Sequence, residues 1–193
     1  AMNVAFENAG NPALQEMGAN ISLGNMEGKE IRFGSSASAY WSVATTVIST
    51  GSVNSMHDSY MPLSGMNMLL AMMINCFYGG VGVGILNYLV FIILAVFISG
   101  LMVGRTPEFL GKKIEAKEMK IAMVIALLHP LLILAGTALT AYQPQFGTAT
   151  LNNPSFHGFS EMLYEFTSAS ANNGSGFEGL GDNTPWWNIS TGI

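Results

Sequence analysis

Two runs of small and hydroxyl-bearing residues hold the chemistry of this sequence. The first is Thr45-Thr46-Val47-Ile48-Ser49-Thr50-Gly51-Ser52-Val53-Asn54, and the second is Thr167-Ser168-Ala169-Ser170-Ala171-Asn172-Asn173-Gly174-Ser175-Gly176. Each reads as a short helix of small residues that breaks at a glycine. In an ordinary core their carbonyl and hydroxyl oxygens would lack partners, and a dehydrated cation supplies one. The layout is that of a re-entrant pore helix followed by an oxygen-lined filter. Ser49, Thr50, Gly51 and Ser52, with Asn172, Asn173, Gly174 and Ser175, are therefore the candidate cation ligands. Gly51 and Gly174 are the expected pivots, because only glycine enters left-handed backbone space without a steric penalty.

The elements that must position these loops are those of a membrane protein. Half of the 193 residues are apolar and only 10% are charged, against roughly 25% charged in soluble domains. The mean hydropathy is +0.39. No basic start followed by an apolar run occupies residues 1–18, so no secretory signal is expected, and the chain reads as an excerpt of something longer. The single cysteine, Cys76, can form no internal disulfide and is expected to pack in a core.

In chain order we expect an irregular extracytoplasmic loop over residues 1–34 and a pore helix with its filter over 35–61. A broken transmembrane helix follows over 62–104, interrupted by a glycine loop at 79–84. Gly79, Gly80, Gly82 and Gly84 should split it into pieces at 63–77 and 85–103. Such a break is tolerated at membrane depth only where backbone lines a cavity or is covered by protein. A phosphate-binding glycine loop is the competing reading, but no strand precedes these residues and no Lys-Ser or Lys-Thr follows. Residues 105–120 form a charged loop with a short helix after Gly111. They carry five of the seven Lys and Arg, which places that loop in the cytoplasm by the positive-inside rule. A second crossing spans 121–142, kinked at Pro130. An extracytoplasmic loop at 143–157, a second pore helix and filter at 158–177 and an extracytoplasmic tail at 178–193 complete the chain. Trp186-Trp187 reads as an interfacial pair.

Several polar groups invite chemistry. Glu27, Lys29, Glu30 and Arg32 form either a solvated loop or a charge network bracing the pore. His129, beside Pro130, reads as a local hydrogen-bonding feature rather than a proton relay. Glu161 and Glu165, four apart on a helix with Phe156, Phe159, Met162, Leu163 and Phe166, suit an external vestibule that concentrates cations better than a catalytic pair. An enzyme would need a nucleophile and base or a metal cluster, whereas His57, His129 and His157 fall in different expected compartments or depths. His57-Asp58 reads as a turn at the outer edge of the first filter. The overall expectation is an all-α membrane protein built of helix-pore-helix repeats with re-entrant loops, a partial copy of a four-repeat pore.

Several stretches are similar to one family. They are Asn25-Met26-Glu27-Gly28-Lys29-Glu30 with Arg32-Phe33-Gly34, Met56-His57-Asp58-Ser59, Gly79-Gly80-Val81-Gly82, Gly104-Arg105-Thr106-Pro107-Glu108 with Leu110-Gly111-Lys112-Lys113, His157-Gly158-Phe159-Ser160-Glu161, and Asn172-Asn173-Gly174-Ser175. Their order resembles the potassium-binding A subunits of bacterial Kdp pumps, relatives of the Trk, Ktr and potassium-channel superfamily. The resemblance implies the third pore region through the fourth filter of a multi-pass subunit in the bacterial inner membrane that selects K+. It implies ATP hydrolysis on a separate P-type ATPase subunit (KdpB-like), with small KdpC-like and KdpF-like accessory subunits. The chain itself is then non-hydrolytic and has no nucleic-acid partner. By position, Ser49, Thr50 and Gly51 match the third filter, Asn172, Asn173 and Gly174 the fourth, and Gly79 to Gly84 the gating break. Arg105, Lys112 and Lys113 fall where a cytoplasmic partner would dock. A Trk/Ktr-type cation transporter subunit and a non-catalytic structural module are the alternatives. Two positions depart from better-known members: Thr50 stands at a cysteine position and Asn75 at a glutamate position.

Overall fold

The computed structural model describes residues 1–193 and is mostly helical. Two helices are long and apolar enough to cross a membrane: α5 (Val83–Val103) and α6 (Ala116–Tyr142) in the numbering below. Charges are absent from α5, and no residue of its most apolar window is fully buried, although one side of it packs on α6. It stops at Gly104, whose left-handed φ of 71° lets its N–H reach back to the Gly100 and Leu101 carbonyls.

The chain begins with α1 (Met2–Ala9) and α2 (Pro12–Glu16), which occupy the first part of the irregular loop expected over 1–34, while residues 17–33 stay irregular. Helix α1 packs on α3 (Gly34–Val47), the first short helix, and on α4 (Pro62–Ile74). The four-charge network expected beside the pore does not form as one unit. Lys29 reaches back instead to Glu7 of α1 at 3.0 Å, with both side chains fully buried. Arg32 and Glu30 pair at the surface. The reason is the unforeseen α1: Glu7 is enclosed, accepts from the Met61 N–H and the Asn25 amide, and needs a cation beside it. The Lys29 ammonium lies 4.0 Å above the Tyr60 ring.

Helix α4 ends at Ile74, three residues before the expected break, because Asn75 takes the left-handed conformation (φ 44°). Asparagine tolerates that region better than most residues. The chain then passes the glycines and enters α5 at Val83. The charged connector is a tight β-hairpin, β1 (Glu108–Phe109) against β2 (Lys112–Lys113), rather than a short helix after Gly111. Leu110 and Gly111 turn it at positive φ. The charged residues from Ala116 onwards already belong to α6, which starts at a capping box between Glu115 and Glu118. Helix α6 runs on through Pro130 without a break.

Helix α7 (Ser155–Ser170) is the second short helix and α8 (Pro185–Ser190) closes the chain. The buried face of α7 carries Glu161, Met162, Tyr164, Phe166, Thr167 and Ser168, whereas Phe156 and Phe159 are exposed. One apolar cluster, including Tyr60, Met68, Met72, Tyr164 and Phe177, joins α3, α4 and α7 beneath the two loops. A second unites Met162, Phe166, Leu180 and Trp187. Trp187 is therefore core rather than interfacial, and its indole N–H donates to the Thr150 hydroxyl. Cys76 is only half-buried.

Removing the Glu7 carboxylate strands a buried ammonium. Glu7→Ala should lower the unfolding free energy by about 3 kcal/mol, whereas Arg32→Ala, at an exposed pair, should change it by less than about 1 kcal/mol. Thermal unfolding reads both, and equal shifts would contradict this assignment.

Candidate ion-binding site

The two hydroxyl-rich runs fold alike, residue for residue. After α3 the chain turns through Ser49 (φ 53°) and Gly51 (φ 68°). After α7 it turns through Asn172 (φ 54°) and Gly174 (φ 90°). In each loop the intervening residue donates its N–H to a carbonyl five residues earlier: Thr50 to Thr45 at 3.2 Å, and Asn173 to Ser168 at 2.8 Å. The glycines thus occupy the left-handed positions expected of them, while Ser49 and Asn172 adopt the same region without being glycine.

The loops also touch. A Cβ on Gly51 would run into the Asn173 carbonyl oxygen, so this approach is open to glycine alone. The Asn173 amide crosses to donate to the Thr45 carbonyl at 2.9 Å, inside the protein. The Asn173 carboxamide oxygen accepts from the Ser175 N–H (3.0 Å) and hydroxyl (2.6 Å), and the Gly174 N–H donates to the Ser168 hydroxyl. Tyr164 extends the chain, its hydroxyl lying 3.0 Å from Ser175 and 3.1 Å from His57 Nδ1.

The N–H groups of Thr50, Asn173, Gly174 and Ser175 are therefore turned inward, whereas the carbonyls of Ser49, Thr50, Gly51, Asn172, Asn173 and Gly174 accept no protein hydrogen bond. Side chains divide differently from expectation. Asn173 and Ser175 are buried and bonded to the protein, so their side-chain oxygens face the interior. The Thr50 hydroxyl bonds Thr45, and the Ser52 carbonyl accepts from the Trp41 indole. What remains free is mainly backbone oxygen.

Beneath the loops the broken helix is tied to the first of them. The Gly80 N–H donates to the Ile48 carbonyl at 2.8 Å, and the Ser49 hydroxyl to the Asn75 side chain at 2.8 Å. Asn87 of α5 holds the Asn75 carbonyl. Gly79 donates to Phe77, and Gly84 leaves no room for a Cβ against that turn. Gly84 thus serves close approach inside α5, while Gly80 and Gly82 supply positive φ. A cavity of about 490 Å³ lies here, lined by Asn75, Asn87, Phe91, His129 and Ser170 among others. His129 bonds Ser170 at the end of α7 at 2.8 Å, a contact between helices rather than within its own segment.

The outer side differs more from the sequence reading. Glu161 is fully buried, so it cannot serve an open vestibule. His157 and His57 are not in separate compartments: His157 pairs with Asp58 at 2.6 Å, next to His57, and only His129 stands apart. Burial first, then the charge of Lys29, lowers the His57 pKa to about 4. Burial first, then Asp182, raises Glu165 to about 7. Burial also raises Tyr164 and Glu178. Sequence reasoning left Tyr164, Thr45 and Asn153 out of the candidate ligands; Thr45 left a signal as the head of the first hydroxyl-rich run, and Tyr164 as an aromatic between Met162 and Phe166 on α7. Arg105, Lys112 and Lys113 are all exposed around the hairpin.

The profile of the family described as KdpA, potassium-transporting ATPase A subunit, matches residues 1–193. The chain belongs to the KdpA family. A potassium-transporting ATPase potassium-binding subunit of Flavobacterium johnsoniae is 69% identical over 98% of this chain and 35% of its own length. The protein of that name from Phocaeicola vulgatus is 65% identical over 100% of the chain and 35% of its own. One from Bacteroides thetaiotaomicron is 61% identical with the same coverage. This KdpA chain thus spans about a third of the length of the curated relatives it matches.

Two predictions follow from the loop geometry in full-length KdpA. Gly51→Ala meets both a positive φ and a carbonyl, whereas Gly174→Ala meets only the positive φ, with open space around its Cβ. Gly51→Ala should therefore destabilise the protein more, the Gly174 change costing about 1–2 kcal/mol; thermal unfolding with the order reversed would refute this. The titrations act in opposite directions. His57 contributes stability that is complete above its unfolded pKa near 6.5 and is lost as pH falls towards about 4. Glu165 contributes stability that is complete below 4.5 and is lost as pH rises through about 7. Melting temperature against pH should accordingly lose its acid-side fall in His57→Gln and its fall towards neutral pH in Glu165→Gln.

Proposed function

We propose that this chain supplies two of the oxygen-lined loops of a K+-selecting pore in the potassium-binding subunit of an ATP-driven uptake complex. One observation carries the reading: six carbonyl oxygens on two matched, touching loops have no protein donor, while the N–H groups of Thr50, Asn172, Asn173, Gly174 and Ser175 are bonded to the protein. Such a site is rich in negative dipole, which favours a cation over an anion. A K+ ion sheds water there and is held by backbone oxygens, with loops from the remainder of the subunit completing the ring. The helices α3 and α7 end at the loops, so the negative poles of their dipoles add to the field. The names of the curated relatives support the choice of ion.

On this reading α3 and α7 are re-entrant pore helices, each shorter than the hydrocarbon thickness. The subunit is a multi-pass protein of the bacterial inner membrane. Gly79 to Gly84 form the gating break, coupled to the filter through the bonds from Gly80 to Ile48 and from Ser49 to Asn75. ATP is hydrolysed on a KdpB-like P-type ATPase subunit. The hairpin with Arg105, Lys112 and Lys113 offers a cytoplasmic docking surface for it, and KdpC-like and KdpF-like subunits complete the assembly.

The test is K+-stimulated ATPase activity of the assembled complex. Gly51→Asp or Gly174→Asp should raise the half-saturating K+ concentration by about tenfold or more, or admit Na+ or Rb+ as an effective stimulant. Unaltered affinity and selectivity in both variants would refute the assignment.

A further inference from the structure

Away from the filter carbonyls, the fold collects acids at a second point. Asp58 comes from the helical turn His57–Ser59, Asn153 from the loop before α7, and His157 and Glu161 from successive turns of α7. His157 Nε2 lies 2.6 Å from Asp58 Oδ1. A single amide group, Asn153 Nδ2, serves both carboxylates, at 2.8 Å from Asp58 Oδ2 and 2.7 Å from Glu161 Oε1. One donor atom from each of Asp58, His157 and Glu161 falls within 4.8 Å of the others.

The charge at this point is unbalanced. Asp58 and Glu161 are 7% and 0% exposed, and neither has a Lys or Arg within ion-pair distance. The Glu178 carboxylate, bonded to the Asp58 N–H at 3.0 Å, adds further negative charge. Most telling is Glu161 Oε2, which is buried and has no hydrogen-bond partner. Leaving such an oxygen unpaired in the interior is costly. A proton on one carboxyl would relieve one charge; a cation taking the place of the Asn153 amide between the two would relieve both. Gly179 has no side chain at this place, and a Cβ there would sit 2.5 Å from both Asp58 Oδ2 and Glu161 Oε1.

We propose that Asp58, His157 and Glu161 form a divalent transition-metal site of the Zn2+ class, separate from the K+ loops. Two carboxylates and an imidazole suit Zn2+, whose bonds to nitrogen and oxygen are about 2.0–2.2 Å, better than they suit K+ or Mg2+, which favour oxygen alone. The half-exposed His157 imidazole and a cavity of about 380 Å³ beside it, lined also by Tyr60, Ser160 and Phe177, give access. A bound metal ties the His57–Ser59 turn to α7. Through His57, Tyr164 and Ser175 that turn reaches Asn173, so the metal stiffens the wall behind the second filter loop.

The experiment uses the full-length subunit purified without a polyhistidine tag, stripped with chelator and titrated with Zn2+ by calorimetry, with Mg2+ for comparison. The expected result is one Zn2+ per subunit, a higher melting temperature on binding, and affinity at least about tenfold lower in His157→Gln and in Glu161→Gln. His157→Gln keeps the test valid if the buried Glu161→Gln fails to fold. Absence of Zn2+ binding, Zn2+ affinity unchanged in His157→Gln, or Mg2+ binding as tight as Zn2+ would each overturn the proposal.

Discussion

Two polypeptide backbones can lie edge against edge only where no Cβ stands between them, and the rest of this structure depends on such a meeting at Gly51 and the Asn173 carbonyl. The Asn173 amide then bridges to the Thr45 carbonyl and fixes the spacing of the loops from the protein side. With the N–H groups of Thr50 and of Asn172 to Ser175 bonded to the protein, backbone oxygen is most of what the loops leave free. A loop of ordinary sequence would close on itself or bind water indifferently. Here left-handed residues at matched positions of both loops hold the chain open against its own preference.

The scaffold can be understood as the support this arrangement requires. The short helices α3 and α7 deliver the loops, and the cluster of Tyr60, Met68, Met72, Tyr164 and Phe177 fills the space between them. Stacking of Tyr164 on Phe177, with ring centres 4.1 Å apart, sets the Tyr164 hydroxyl against Ser175. On the other side Asn75 ends α4, takes the Ser49 hydroxyl and is held by Asn87. The break in the helix and the first loop are thus one hydrogen-bonded unit. A movement of the glycine segment would be felt at Ser49.

What could be read from the sequence and what could not have separate physical causes. Helices α5 and α6 were legible because a membrane demands an uninterrupted apolar run, and the turns after α3 and α7 because Gly51 and Gly174 mark left-handed positions. The start of the break was misplaced by three residues: the glycines were visible, but Asn75 entering left-handed space depends on partners in Ser49 and Asn87. The hairpin at Lys112 was hidden by helix-forming charges, although Leu110-Gly111 is a turn pair. The pairing of Lys29 with Glu7, and that of Asp58 with His157, join residues far apart in the chain, and no local pattern announces them. Trp187 reads as interfacial by type but is enclosed by Phe166 and Leu180.

The central claim is that both loops face one dehydrated monovalent ion. It is tested most directly by anomalous X-ray scattering from full-length subunit crystals in which K+ is replaced by Rb+ or Tl+. The account predicts a peak in direct contact with carbonyl oxygens of both the Ser49–Gly51 and the Asn172–Gly174 segments. A peak in contact with neither segment, or no ordered ion in the space the two loops share, would contradict it.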